Sequence, residues 1–440
     1  MTAFPIHFAQ PLLILVVTLL ASGTSVALGP VAEHQFDAGQ ARIIVAKRDS
    51  QRAQLIIQFQ TGAFDDGLVA GLSRVSQHAL LFANQSGSGT QLKAEVYDAG
   101  GRLEVTLGVR RTRFLLEAPK NKFLLLSKKL LALVLDFKPN QEKFDYLKQL
   151  SRNERVDSGG AVDAESFLAG SVIFTEGGEN GNEYNNPLFP DSDSLGQIQM
   201  DQITKHILEK FRPANAVVVA SGNINATKII KAVRKYRGGT PRLFERPNSS
   251  KAMPLEIQRF GFYETHMRVQ LVTLETDVQQ AAAHLLTAIL QDQSMWELRK
   301  KGMTFSTSST LVSREWMDYI LVVMPVSESS RVPVRPEVDA FIKSLAEGNI
   351  NDDTFERNKR FTLRFLQNLD DDYRAIGKLL ADTSPTRPLL TAKVMEELAN
   401  LNKERFLKET KRWLLPSSTV HVVFGRNLKS STHSGRMGSK

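Results

Sequence analysis

The chain of 440 residues contains no cysteine. That absence excludes a disulfide framework, a thiolate metal site and a cysteine nucleophile together. It leaves the compartment open, because exported proteins need not carry disulfides. No block of one charge is present either. Lys and Arg number 56 against 47 Asp and Glu, a net charge of +9 with a pI of about 9.5, spread along the chain although Arg110, Arg111 and Arg113 cluster locally. A charge spread this way describes a soluble surface, with a preference for acidic peptides as the alternative, and no nucleic-acid motif accompanies it. Phosphate-loop, nucleophile-elbow and calcium-loop patterns are missing. Gly177-Gly178-Glu179-Asn180-Gly181 is not followed by Lys-Ser/Thr, Ser86-Gly87-Ser88-Gly89 has no elbow frame, and Asp370-Asp371-Asp372 lacks the remaining ligands.

What is there begins with a compact apolar run, Leu12 to Ala21, followed by the small-x-small signal Ser25-Val26-Ala27. The run falls short of the roughly 20 apolar residues of a membrane span. It reads as a cleaved secretory leader over residues 1–27, although no Lys or Arg precedes it; an uncleaved anchor is the other option. Ala41 to Ala46, Gln54 to Gln60, Leu103 to Leu107 and Arg113 to Glu117 are β-rich. Helical spacing marks 71–82, Lys122 to Phe137, Gln141 to Arg155 and Gln199 to Phe211, and Gly177 to Ser194 reads as an exposed loop.

One passage is repeated. Arg212-Pro213 leads through Ala214 to Gly222, and Leu415-Pro416 leads through Ser417 to Gly425; each has a helix, a Pro, a β run and a Gly nine positions after the Pro. Two such copies far apart in sequence predict two homologous α+β domains, each a mainly antiparallel sheet covered by helices. The predicted divisions are an N-terminal domain over 34–237, a Pro-rich linker over 238–254, a C-terminal domain over 255–427 and a basic tail over 428–440.

The segment Gly71 to Phe82 carries the chemistry. On a helix, positions 74 and 78 lie one turn apart on one face with 77 beside them, the arrangement of an H-x-x-E-H zinc motif. Here Arg74 is a permanent cation where a lone pair is needed, Gln77 offers no carboxylate, and His78 alone remains.

Together these features resemble the insulinase family of zinc metallopeptidases, which includes pitrilysin and the mitochondrial processing peptidase. The resemblance runs from about Phe36 to Asn427. It rests on Gly62 and Gly71-Leu72 before the helix, Gly100-Gly101-Arg102 before an edge strand, Pro187, the Pro213 to Gly222 passage, and Leu298-Arg299-Lys300-Lys301-Gly302-Met303-Thr304-Phe305. The resemblance places Arg74, Gln77 and His78 at the first histidine, the general base and the second histidine. It places Glu154 at the third ligand, and Glu104-Val105 at a substrate-positioning Asn-Ala pair. Arg299 matches an arginine that stabilises the oxyanion, often from a partner subunit, and Phe305 stands at its companion tyrosine without the hydroxyl. Plainer roles are a buried hydrogen-bonding histidine for His78, a solvated carboxylate for Glu154 and a surface salt bridge beside Glu297 for Arg299.

The resemblance implies a degenerate half-chain that binds no metal of its own, zinc belonging to a catalytic partner. The expected role is an exported, periplasmic or envelope, non-catalytic subunit that walls a peptide chamber. Its partner is a zinc-bearing insulinase-family subunit or a second copy; peptides are the substrates, nucleic acid is not bound, and a membrane is touched only through an uncleaved leader. A stand-alone peptide-binding or structural module is the alternative, and an active peptidase with altered ligands the third reading.

Overall fold

The computed structural model describes residues 31–34, 39–108, 110–157, 192–240, 256–260, 265–304, 306–313, 318–326, 334–382 and 390–425. The leader with its cleavage signal, most of the 177–194 loop, the linker beyond 240, Phe305, the tail and the side chain of Glu154 lie outside that description.

The first half runs β1 (Val31–His34), β2 (Arg42–Lys47), β3 (Arg52–Phe59), α1 (Leu72–Phe82), α2 (Gly89–Asp98), β4 (Arg102–Leu107), β5 (Thr112–Pro119), α3 (Lys120–Leu135), α4 (Phe144–Asp157), α5 (Ser192–Gln197), α6 (Met200–Lys210), β6 (Ala216–Gly222) and α7 (Ala226–Arg234). The second runs β7 (Glu256–Phe260), β8 (Thr265–Leu271), α8 (Asp277–Lys300), β9 (Ser308–Ser313), β10 (Asp318–Pro325), α9 (Val334–Ala346), α10 (Asp352–Asp371), α11 (Tyr373–Asp382), α12 (Ala392–Asn400), α13 (Lys403–Thr410) and β11 (Thr419–Gly425). Among the described residues no helix is long and apolar enough to cross a membrane.

Two sheets result, ordered β1-β2-β6-β3-β5-β4 and β7-β11-β8-β10-β9. With β1 set aside, the orders superimpose strand for strand. In each sheet a single parallel pair, β2–β6 or β7–β11, joins otherwise antiparallel neighbours. The Pro213 and Pro416 passages form the equivalent strands β6 and β11, each entered through a short 3-10 turn that begins at the Pro. There the missing N–H removes no ladder bond.

Local chemistry sets the boundaries. The helix predicted from Lys122 begins at Lys120, because Pro119 closes β5 and opens the turn. The helix predicted from Gln141 begins as a 3-10 turn under Asn140, whose side chain accepts the Glu142 N–H, and becomes α-helical at Phe144. Between α2 and β4, Gly100 adopts φ +67°, and a Cβ on Gly101 would collide with the carbonyls of Glu117 and Val96. Only glycine fits that corner.

The central strands read as continuous apolar runs, such as Ile43-Ile44-Val45-Ala46 and Val217-Val218-Val219-Ala220, because both faces of the first sheet are buried. On one face Ile43, Val45, Leu55, Ile57 and Val218 join the core beneath α1, α3, α6 and α7. On the other, Ile44, Ile56, Leu115, Val217 and Val219 join a core built largely by the second half, including Leu366, Ile376 and Leu380. Helix α11 crosses to lie on β2, β3 and β6.

Ion pairs hold both of its ends. At the N-terminal end, Glu117 of β5 accepts from Tyr373 Oη (3.0 Å), from Arg374 (2.7 and 2.9 Å) and from Arg52 (2.6 Å). Burial would raise the Glu117 carboxyl, but the bonds from Arg374, Tyr373 and Arg52 outweigh it and hold it below the usual range. At the C-terminal end, Gln58 donates to the Ala381 carbonyl (2.6 Å), and Arg111 and Arg113 pair with Asp382. Side-chain ion pairs thus tie down both ends of the helix, and Gln58 satisfies an orphan carbonyl. In the middle the Ser221 hydroxyl donates to the Tyr373 carbonyl (2.6 Å), and Gly377 leaves no room for a side chain above Ser221 and Gln54.

Gly377→Ala therefore is expected to destabilise the chain by about 1–3 kcal/mol through overpacking, read as a lower urea midpoint. Adding Ser221→Ala should recover part of that loss. A neutral Gly377→Ala would show that α11 does not seat closely on the sheet.

Candidate functional site

Helix α1 is set by the loop that precedes it. Asp66, itself buried, accepts from the backbone N–H groups of Gly71 (2.6 Å) and Ser73 (2.7 Å), capping the helix start. Burial pushes the Asp66 carboxyl up to about 7, against the pull of its bonds to Ser73 and Gly71. The Ser73 hydroxyl donates to the Gly62 carbonyl (2.8 Å) and lies 3.0 Å from Nε2 of His206 on α6. Residues 72–81 are all buried, which makes α1 a core helix. It packs between α4 and α6. The His78 ring lies 6.3 Å from that of Phe82, which in turn meets Tyr146 of α4 edge-on at 6.2 Å.

Arg74, Gln77 and His78 are brought together inside this packing, 6%, 1% and 7% exposed. Position 154 lies on α4, and its side chain is outside the described residues.

This donor set does not fit zinc. A protein zinc site takes three neutral or anionic ligands and a water. The first-histidine position holds a guanidinium, which has no lone pair to give and repels a dication. Gln77 cannot take a proton from a bound water, and its Oε1 is buried without a hydrogen-bond partner among the described residues. Among those residues, no group of three His, Cys, Asp or Glu side chains stands where it could hold a metal.

The remaining predicted residues are spread over other elements. Glu104 and Val105 lie on β4, the edge of the first sheet, where Glu104 pairs with Arg102 on the same strand. Arg299 is exposed in the last turn of α8, in the second half, and Glu297 beside it pairs with Lys300 (3.2 Å). Phe305 is outside the described residues.

Comparison with known proteins places this geometry. Residues 197–361 match the family described as the peptidase M16 inactive domain. A protease from Helicobacter pylori superimposes with a TM-score of 0.74 at 12% identity, over 90% of this chain and 100% of that one. The peptidase M16 inactive domain from Pseudomonas fluorescens gives 0.71 at 15%, over 91% and 98%. The first half of the periplasmic protease PqqL from Escherichia coli gives 0.69 at 12%, over 90% and 92%. Residues 197–361 are thus similar to an M16 inactive domain, and the chain as a whole shares the fold of M16-type half-chains. Against the whole of PqqL it spans 48% of the length. At these identities the structural likeness concerns the fold. No curated protein matches the chain by sequence.

Within the M16 fold, the duplication exposes a polar cluster that sequence reasoning missed. Superposing Pro416 on Pro213 sets His421 over Val218, and the strand registers then set His266 and Arg268 over Leu55 and Ile57. Where the first sheet buries three aliphatic side chains, the second buries two histidines and an arginine. His266 Nδ1 and His421 Nε2 are 2.9 Å apart, within hydrogen-bond distance. Arg268 pairs with Asp339 of α9 and donates to Thr419 Oγ1 (3.1 Å). The signal was available in the alternation His266-x-Arg268-x-Gln270, read against the apolar strand of the first half.

Burial pushes the His421 imidazole down to about 3, with repulsion from His266, Arg335 and Arg268 adding to it and Asp339 opposing. The folded pKa lies below the ordinary value of 6.5, so the unfolded chain takes up the proton first. Stability from this histidine is complete above pH 6.5 and declines as pH falls toward 3, by about 1.4 kcal/mol per pH unit for one proton. His421→Val, which installs the first half's residue, is expected to flatten that decline in urea titrations between pH 6.5 and 4. An unaltered pH profile would remove His421 as its source.

Proposed function

We propose that this chain is a non-catalytic subunit of an exported M16 metallopeptidase complex, walling the peptide chamber beside a partner that carries zinc. The observation that carries the reading is α1. The helix keeps its place, its caps and its burial between α4 and α6 while Arg74 and Gln77 replace a ligand and the base. A half-chain with a preserved frame and an unusable donor set is suited to assembly rather than to hydrolysis. Export is supported by the short apolar run and Ser25-Val26-Ala27. Arg299, exposed at the end of α8, is the residue offered to the partner's substrate.

Metal analysis of the chain purified without chelators, with a peptide-library digest, tests the central claim. No stoichiometric zinc and no cleavage are expected; one zinc per chain with chelator-sensitive cleavage would overturn it. The proposed partner is an M16 chain with an intact H-x-x-E-H helix, sought by co-purification from envelope extracts.

In the reconstituted pair, Arg299→Ala is expected to leave assembly intact and lower turnover. Loss of one oxyanion donor typically costs on the order of a hundredfold, and less is expected here because Phe305 has no hydroxyl to share the task. Unchanged turnover at saturating subunit would remove Arg299 from catalysis and leave the wall role alone.

A further inference from the structure

Helix α10 is seated by one face. Phe355, Asn358, Thr362, Leu366 and Asp370 recur at helical spacing and are buried, and Asp370 at the far end pairs with Arg48 of the first half. The opposite face carries Arg357, Arg360, Phe361, Arg364 and Phe365, all exposed. Phe361 and Phe365 are 57% and 49% exposed, with their rings stacked at 6.1 Å and 13°. Arg357 is held by Asp292 of α8 (2.7 Å). Arg360 and Arg364 make no ion pair among the described residues.

Neither feature serves the isolated fold. Two phenylalanines one turn apart in water gain little from each other compared with what burial would give them. Two arginines one turn apart repel, and no carboxylate stands between them on this face. A surface that breaks the apolar-in and charge-balance rules together, on an otherwise well-seated helix, marks a contact site. Aromatic rings flanked by arginine are also the side chains that interface centres favour.

We propose that the Arg360–Phe361–Arg364–Phe365 face of α10 docks an acidic segment of another protein, one bearing carboxylates on either side of an apolar side chain. Charge complementarity selects this occupant. The apolar side chain covers the stacked rings, and the carboxylates pair with Arg360 and Arg364, for which guanidinium forks are suited. A second copy of the chain is disfavoured, because a two-fold contact would set these arginines against themselves. Single-stranded nucleic acid is disfavoured as well. It is held in a basic groove that tracks its backbone, whereas this is the convex face of one helix. The proposal stands apart from the zinc-partner reading, since it rests on α10 alone.

The test is fluorescence anisotropy on the full chain with a labelled peptide alternating Glu and Leu. Parallel titrations use the Lys-for-Glu peptide, oligouridylate and anionic phospholipid vesicles. The acidic peptide is expected to bind best, more weakly as salt screens the contact. Arg360→Glu/Arg364→Glu and, separately, Phe361→Ser/Phe365→Ser are each expected to weaken binding roughly tenfold or more, with thermal unfolding unchanged or raised. Absence of acidic-peptide binding, indifference to both double variants, or stronger binding to oligouridylate or vesicles would each overturn the proposal.

Discussion

The seating of α11 on the back of the first sheet is the constraint from which the rest of the structure follows. A six-stranded sheet with apolar side chains on both faces needs two layers of cover, and the first half supplies only one. The second layer comes from α11 across the duplication, so the first half does not complete its core alone. The apolar surface supplies the drive, but it does not choose a register. Direction and register come from polar groups: Glu117 at the helix start, Arg111 and Arg113 at its end, Ser221 and Gly377 between them. Reversing α11 would part Glu117 from Tyr373 and Arg374, and Asp382 from Arg111 and Arg113.

This arrangement decides how stiff the candidate site is. Helix α1 lies on the face of the first sheet opposite α11, so the sheet between them is clamped from both sides. Glu117, Gln58 and Arg113 act at the margins of that clamp. Opening of the half-chain about its middle would expose a buried sheet face and several charged pairs at once.

Much of the fold was legible because two regularities are strong in the sequence. The β runs at 41–46 and 54–60 and the echo of Pro213 in Pro416 found their strands, and the 71–82 spacing found α1 to within a residue. The α1 cluster was legible for the same reason, since i, i+3, i+4 spacing fixes a shared helical face. What escaped was whatever depends on partners distant in sequence. Nothing local says that Glu117 and Tyr373 meet, or that Ser73 reaches His206. The His266–His421 pair escaped because each histidine alone looks like an ordinary strand residue; only the register of two strands from opposite ends of the second half joins them.

The supports of α1 explain how a zinc helix could lose its donor set without losing its shape. A metal bridging α1 to α4 would add a tether between helices, and its removal would ordinarily loosen them. Here the helix start is held independently, by Asp66 on the N–H groups of Gly71 and Ser73 and by the Ser73 hydroxyl between Gly62 and His206. Its body is held by Leu72, Val75, Ala79 and Leu80 in the core. None of these groups is a ligand in the motif, so replacing ligands leaves them intact. The substitutions also change the electrostatics in a consistent direction. A buried guanidinium and a neutral amide bring fixed positive charge and hydrogen-bonding capacity to the place where an intact motif would hold a dication. Loss of chemistry at Arg74 and Gln77 is thus compatible with full retention of the frame, which is the property a wall subunit requires.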